Sequence, residues 1–135
     1  VISRTNAPHL QSFAEHLYNY FPFCAHYAFM GLELHGNAAQ NKELVDISPQ
    51  QYQQELRSAV LAMYRRGLPV SVYNIPLCLC APEIMPFARQ SISSWKNIYP
   101  PQCGLCGRKK DCSGFFDTSI SLPLDHIHPF KKEGE

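Results

Sequence analysis

Cys103-Gly104-Leu105-Cys106 is a C-x-x-C knuckle, a spacing that lets two thiolates reach one metal while the intervening Gly permits a tight backbone. Cys112 follows after five residues, and a fourth thiol is offered upstream by Cys78 or Cys80. Four soft sulfur ligands suit zinc or an iron–sulfur cluster and do not suit calcium or magnesium. Spacing alone leaves zinc and iron–sulfur both open, because each accepts four thiolates in a tetrahedral arrangement. The competing readings are a redox pair and plain buried thiols; a third cysteine in a Gly-rich loop favours the metal. Of Cys78 and Cys80, Cys80 is read as the spare. Cys24, in an apolar stretch, reads as an ordinary core residue.

Other polar residues sit where chemistry can occur. Glu33 and His35 follow the end of an expected strand, and Arg4, Asn6 and Asn74 occupy corresponding strand ends, the side on which open α/β sheets and barrels bind ligands. The competing reading is solvated loop side chains. His126-Ile127-His128 can place two imidazoles on one side of a strand, but a short His-x-His near a terminus is usually surface. Arg108-Lys109-Lys110 beside the knuckle is too small a patch, answered by Asp111, to argue for nucleic acid; it would offset the negative charge of a four-thiolate site. Trp95, the single tryptophan, and Phe115-Phe116 are assigned to packing that keeps water from that site.

The elements that must carry these residues fit one domain of 135 residues, 45% hydrophobic and 17% charged, the balance of a globular chain. A net charge of +1 gives no field that would favour nucleic acid or an anionic membrane. No apolar run is long enough to span a bilayer, and Val1-Ile2-Ser3-Arg4 lacks the layout of a secretory signal, so a cytoplasmic location is expected. Six cysteines can make three disulfides, a framework suited to small secreted chains without a core; this chain has core-forming patterns. No Gly-rich phosphate loop, nucleophile elbow or His-Glu-x-x-His helix is present, which leaves hydrolase and nucleotide-triphosphate readings without support.

Apolar residues at Leu10, Phe13, Ala14, Leu17, Tyr18 and Phe21 predict a helix, with Thr5 or Asn6 at its start, Pro8 in its first turn and Pro22 after its end. The stretch 24–32 is nearly continuous in apolar character, as in a strand covered on both faces, and its Gly31 hints at close backbone approach or a turn. Ser48, Pro49 and Gln51 mark the start of a second helix with a capping box, Tyr52, Leu56, Ala59, Val60 and Met63 form its face, and Gly67 stops it. Pro69 to Ile75 reads as another strand. Strand, crossover helix and strand make a βαβ unit, and the leading helix implies an earlier strand, of which Val1-Ile2 is a remnant. Opening in mid-pattern on Val suggests a fragment, a processed chain or an alternative start. Residues 81–99 allow one or two short helical pieces, and beyond Pro100-Pro101 the Cys- and Gly-rich chain needs a staple. The expected division is therefore 1–80, β/α units, and 81–135, a Cys-rich segment.

Tyr73-Asn74-Ile75-Pro76-Leu77-Cys78-Leu79, then Ser91-Ile92-Ser93-Ser94-Trp95-Lys96-Asn97, then Cys103-x-x-Cys106-x5-Cys112-Ser113-Gly114-Phe115-Phe116 resembles the C-terminal part of radical S-adenosylmethionine (SAM) enzymes. More narrowly it looks like the maturases of the His-Xaa-Ser peptide-modification system, with Met30-Gly31-Leu32-Glu33 included in the match. The resemblance implies the C-terminal units of a partial parallel (β/α) barrel that binds SAM at its strand ends, followed by an auxiliary 4Fe-4S cluster on Cys78, Cys103, Cys106 and Cys112. It places Glu33 and His35 near the SAM methionine and ribose, with Arg4, Asn6 and Asn74 as further cofactor contacts. The implied partners are a peptide substrate and the missing N-terminal half; no nucleic acid and no membrane are expected. The family's radical-generating C-x-x-x-C-x-x-C motif is absent, so this chain alone is expected to be inactive, and catalytic residues stay unassigned. The alternative is a non-enzymatic α/β module with a structural four-cysteine zinc site.

Overall fold

Ile2 joins the edge of a parallel sheet: its N–H donates to the Met30 carbonyl at 2.8 Å and it bridges Gly31 in parallel. The earlier strand expected from the sequence is thus a single parallel bridge at Ile2. The computed structural model describes residues 1–91, 97–119 and 126–131. A short 3-10 turn, Ala7–His9, leads into helix α1, Leu10–Tyr20. Strand β1, Tyr27–Met30, is followed by two single-turn helices, α2 (Asn37–Gln40) and α3 (Lys42–Val45), then the long α4 (Pro49–Arg65) and strand β2, Val70–Tyr73. A 3-10 helix over Pro82–Phe87 precedes a two-residue strand β3, Ala88–Arg89.

The chain is thus α/β, with a parallel sheet in the order β1-β2-β3. β3 comes from beyond residue 80, so the Cys-rich segment is tied into the sheet rather than appended after it.

Helix α4 forms as its sequence dictates. Its capping box is in place, with the Ser48 N–H donating to Gln51 Oε1 at 3.1 Å and Pro49 at the first helical position. Tyr52, Leu56, Ala59, Val60 and Met63 are all buried. Leu56, Val60 and Met63 each stabilise the fold by about 1.5–3 kcal/mol on leaving water. They share one cluster with Tyr27, Phe29, Val70 and Val72 of the sheet.

Two expectations need correction. Only Leu10 and Ala14 of the α1 stripe are fully buried; Phe13, Tyr18 and Phe21 are exposed. Phe13 and Tyr18 lie on the flanks of the stripe, beyond the line along which α4 packs, and Phe21 is past the last turn. Asn6 does not cap the helix either: its Oδ1 accepts the Ser3 N–H and its Nδ2 donates to the Val1 carbonyl, closing the preceding turn. The second correction concerns β1, expected to be covered on both faces. Tyr27 and Phe29 are buried, but Ala28 is exposed and Met30 half-buried, so one face of the strand lacks full cover among the described residues.

Candidate metal centre

Strand β2 ends in a sharp change of direction. Asn74 takes a left-handed conformation with φ of 61°, and its carbonyl lies so close to Gly31 that a Cβ there would stand 2.5 Å from the oxygen. Close approach, rather than a turn, is what the glycine supplies. Pro76 then sends the chain into a 3-10 turn, Leu77–Leu79, which carries Cys78. Two more such turns, Pro101–Leu105 and Lys109–Asp111, place Cys103 inside the first and Cys106 and Cys112 at their ends. These turns are anchored on both sides. Ile98 and Phe115 exchange backbone hydrogen bonds of 2.9 and 2.7 Å, and the Gly107 N–H donates to the Phe130 carbonyl at 2.9 Å.

The result is a small cavity lined by Cys78, Cys103, Cys106 and Cys112 together. The cavity volume is about 20 Å³. Leu77, Phe115 and Ile127, all buried, form its apolar wall, and Arg108 and Lys109 stand at its edge. Cys80 does not line it. That residue is only 3% exposed and belongs to the core beside Tyr52. All six cysteines are free thiols, so the three-disulfide arrangement is not formed; Cys24 is half-buried against the core.

The electrostatics are those of sulfurs close enough to feel one another. Burial pushes the Cys78 thiol up to about 11, the N–H of His128 pulls it back, and Cys112 and Cys103 raise it further. Cys103 is raised by burial and then by Cys112 and Cys106, against the pull of Lys109. Burial also raises Cys112, opposed by the backbone N–H groups of Leu77 and Gly114 and by Arg108. Mutual repulsion of this kind disappears when a cationic centre sits between thiolates, and N–H groups aimed at sulfur stabilise the charged form. Four convergent thiols, amide donors and two cations fit a metal group by their chemistry.

Among the described residues the ligand atoms of Glu33, His35 and Asp117 come within 4.8 Å of one another. Zinc and an iron–sulfur cluster each accept four thiolates, and the cysteine lining of the small cavity serves either.

The cofactor-site candidates divide. A larger cavity of about 190 Å³ opens at the C-terminal ends of the strands, and Arg4 and Asn74 line it. Arg4 is engaged with the chain itself, donating from Nε to the Asp46 carbonyl at 2.9 Å and from Nη1 to the Glu43 carbonyl at 3.0 Å. Asn6, Glu33 and His35 do not line the cavity. Instead His35 Nε2 lies 3.5 Å from Glu33 and 3.7 Å from Asp117, with the His35 and Asp117 side chains each 63% exposed, a solvated charge group. Ser48, Gln51, Tyr52 and Thr118 also line the larger cavity. Sequence reasoning missed them as site residues; helix-face and capping signals had already accounted for the first three. Phe115 lines both cavities and forms part of the wall between them, while Trp95 lies outside the described residues. His128 reaches the metal cavity through its backbone; His126 and His128 are exposed and belong to no strand.

The chain matches no family model, no curated protein and no solved structure. No described helix is long and apolar enough to cross a membrane.

Proposed function

We propose that this chain is the C-terminal portion of a radical SAM peptide-modifying maturase, whose auxiliary 4Fe-4S cluster is held by Cys78, Cys103, Cys106 and Cys112. The observation that carries the reading is the convergence of these four thiols on one cavity, with Arg108 and Lys109 beside them. The sheet supports the partial-barrel part of the reading. Its parallel strands follow chain order, α1 and α4 pack against each other, and the Ala28 side of β1 is left for another element to cover. The uncovered side is where the missing N-terminal half, with its C-x-x-x-C-x-x-C motif, would complete the barrel.

Bound there, the cluster would supply one-electron transfer or an anchoring site for the peptide. The chain's own residues perform the rest. Phe115, Leu77 and Ile127 exclude water from the sulfurs, Arg108 and Lys109 offset their charge, and Asn74 and Arg4 shape the neighbouring cavity in which SAM and peptide would meet.

Loading the metal-free protein without oxygen, once with iron and sulfide and once with zinc, tests the reading. Iron and acid-labile sulfide in equal amounts, with broad visible absorbance, is the expected outcome. A colourless protein that takes up zinc and refuses iron overturns it.

A further inference from the structure

Cys112 is approached by the main chain from two sides. The N–H of Leu77 lies 3.3 Å from its sulfur and the N–H of Gly114 lies 3.4 Å from it, so one thiol receives two main-chain donors from opposite directions in the chain. Neither donor is there by accident of a flexible side chain. Leu77 is 2% exposed and opens the 3-10 turn that follows Pro76, a position whose N–H has no partner inside the turn. Gly114 has φ of 67°, and a Cβ on it would stand 2.8 Å from the Ile98 carbonyl oxygen and 3.1 Å from the Tyr99 ring. Only glycine fits a backbone held in that orientation at that distance.

We propose that Leu77 and Gly114 are positioning residues that raise the reduction potential of the cluster, through two backbone N–H donors aimed at Cys112 Sγ. The inference rests on the iron–sulfur reading above and adds to it the groups that tune the centre. When such a cluster accepts one electron, no bond forms or breaks, and one more negative charge spreads over the irons and sulfurs. An N–H dipole pointed at a sulfur is attracted more strongly to the reduced state than to the oxidised one. Hydrogen bonds to sulfur therefore favour reduction. Because Leu77 belongs to the strand end and Gly114 to the Cys-rich segment, the potential depends on these two parts being docked.

Leu77→Pro removes one donor with little change of backbone. Pro76 has φ of −58° and ψ of 142°, the extended conformation that a residue before proline requires, and the start of a helical turn accepts proline. Leu77→Ala is the matched control, since it loses the buried side chain but keeps the N–H. The reconstituted full chain is titrated with dithionite in the presence of redox mediators. The expected result is a potential lower in Leu77→Pro than in Leu77→Ala, with Leu77→Ala closer to wild type. Equal potentials in the two variants overturn the inference and leave the iron–sulfur reading standing. A wild-type chain that takes up no iron and sulfide overturns both. If Leu77→Pro fails to load a cluster, the wild type decides: electron–nuclear double resonance of its reduced cluster must show couplings to hydrogens that exchange in deuterated water, and their absence overturns the proposal.

Discussion

The hydroxyl of Tyr99 donates to the carbonyl of Cys112 at 2.8 Å, and the ring of the same tyrosine carries Lys109 Nζ 4.9 Å from its centre. One side chain thus fixes the backbone of the last cysteine and the cation beside the knuckle. Removing only the hydroxyl, as Tyr99→Phe, leaves the ring and takes one of two donors from the carbonyl, which Gln90 Nε2 also reaches at 3.2 Å. A loss of about 1 kcal/mol is expected for such a hydrogen bond. Chemical denaturation should show it, and metal release to a chelator should be faster than in wild type.

Cys78 and Cys80 are two residues apart and differ in burial and in lining the cavity. Cys78 lines the metal cavity; Cys80 is buried beside Tyr52 in the core. Cys78→Ala should abolish stoichiometric iron uptake, whereas Cys80→Ala should retain it and lose about 1 kcal/mol of stability through the small void left. Iron analysis of the two reconstituted variants decides; equal loading by both would show that the fourth ligand is misassigned.

Gly31 has the Asn74 carbonyl where a side chain would go, with a Cβ position 2.5 Å from the oxygen. Backbone cannot yield as a flexible side chain does. Gly31→Ala should therefore destabilise the protein by about 1–3 kcal/mol, as overpacking does, and disturb the turn that leads to Cys78. Urea unfolding of the metal-free protein measures the first effect, and lowered iron occupancy the second.

In the metal-free protein burial pushes the Cys80 thiol up from 9.0 to about 12, with Cys112 and Cys78 adding to the rise, and burial raises Tyr52 as well. The folded state holds these protons more tightly than the unfolded chain. Their contribution to stability is complete below pH 9, and it is lost as pH climbs through the folded values. The urea midpoint of the metal-free protein should fall between pH 9 and about 12, less steeply in Cys80→Ala. Identical slopes in the two proteins would contradict this.

Legibility in the sequence followed the physics of each element. Helix α4 was readable to its ends because Ser48, Pro49 and Gln51 state a cap and five apolar residues repeat at helical spacing. The grouping of Cys103, Cys106 and Cys112 was readable because their spacing is local, whereas the place of Cys78 at the same cavity is set by the tertiary fold. Strand β3 was not, since two residues, Ala88 and Arg89, have no periodicity, and their place beside β2 is decided by the docking of the preceding 3-10 helix. The single-turn helices α2 and α3 lack side-chain caps. Asp117 gave no local sign that it would stand near His35, from which it is distant in sequence. The donors to Cys112 were invisible for a simpler reason: they are main-chain N–H groups, which every residue but proline possesses.

X-ray absorption at the iron edge of the anaerobically reconstituted chain tests the central claim most directly. The account predicts a shell of sulfur neighbours together with iron–iron scattering, lost when Cys78, Cys103, Cys106 or Cys112 is replaced. A sulfur shell with no metal–metal scattering, from a chain whose four cysteines bind a single ion, would contradict it.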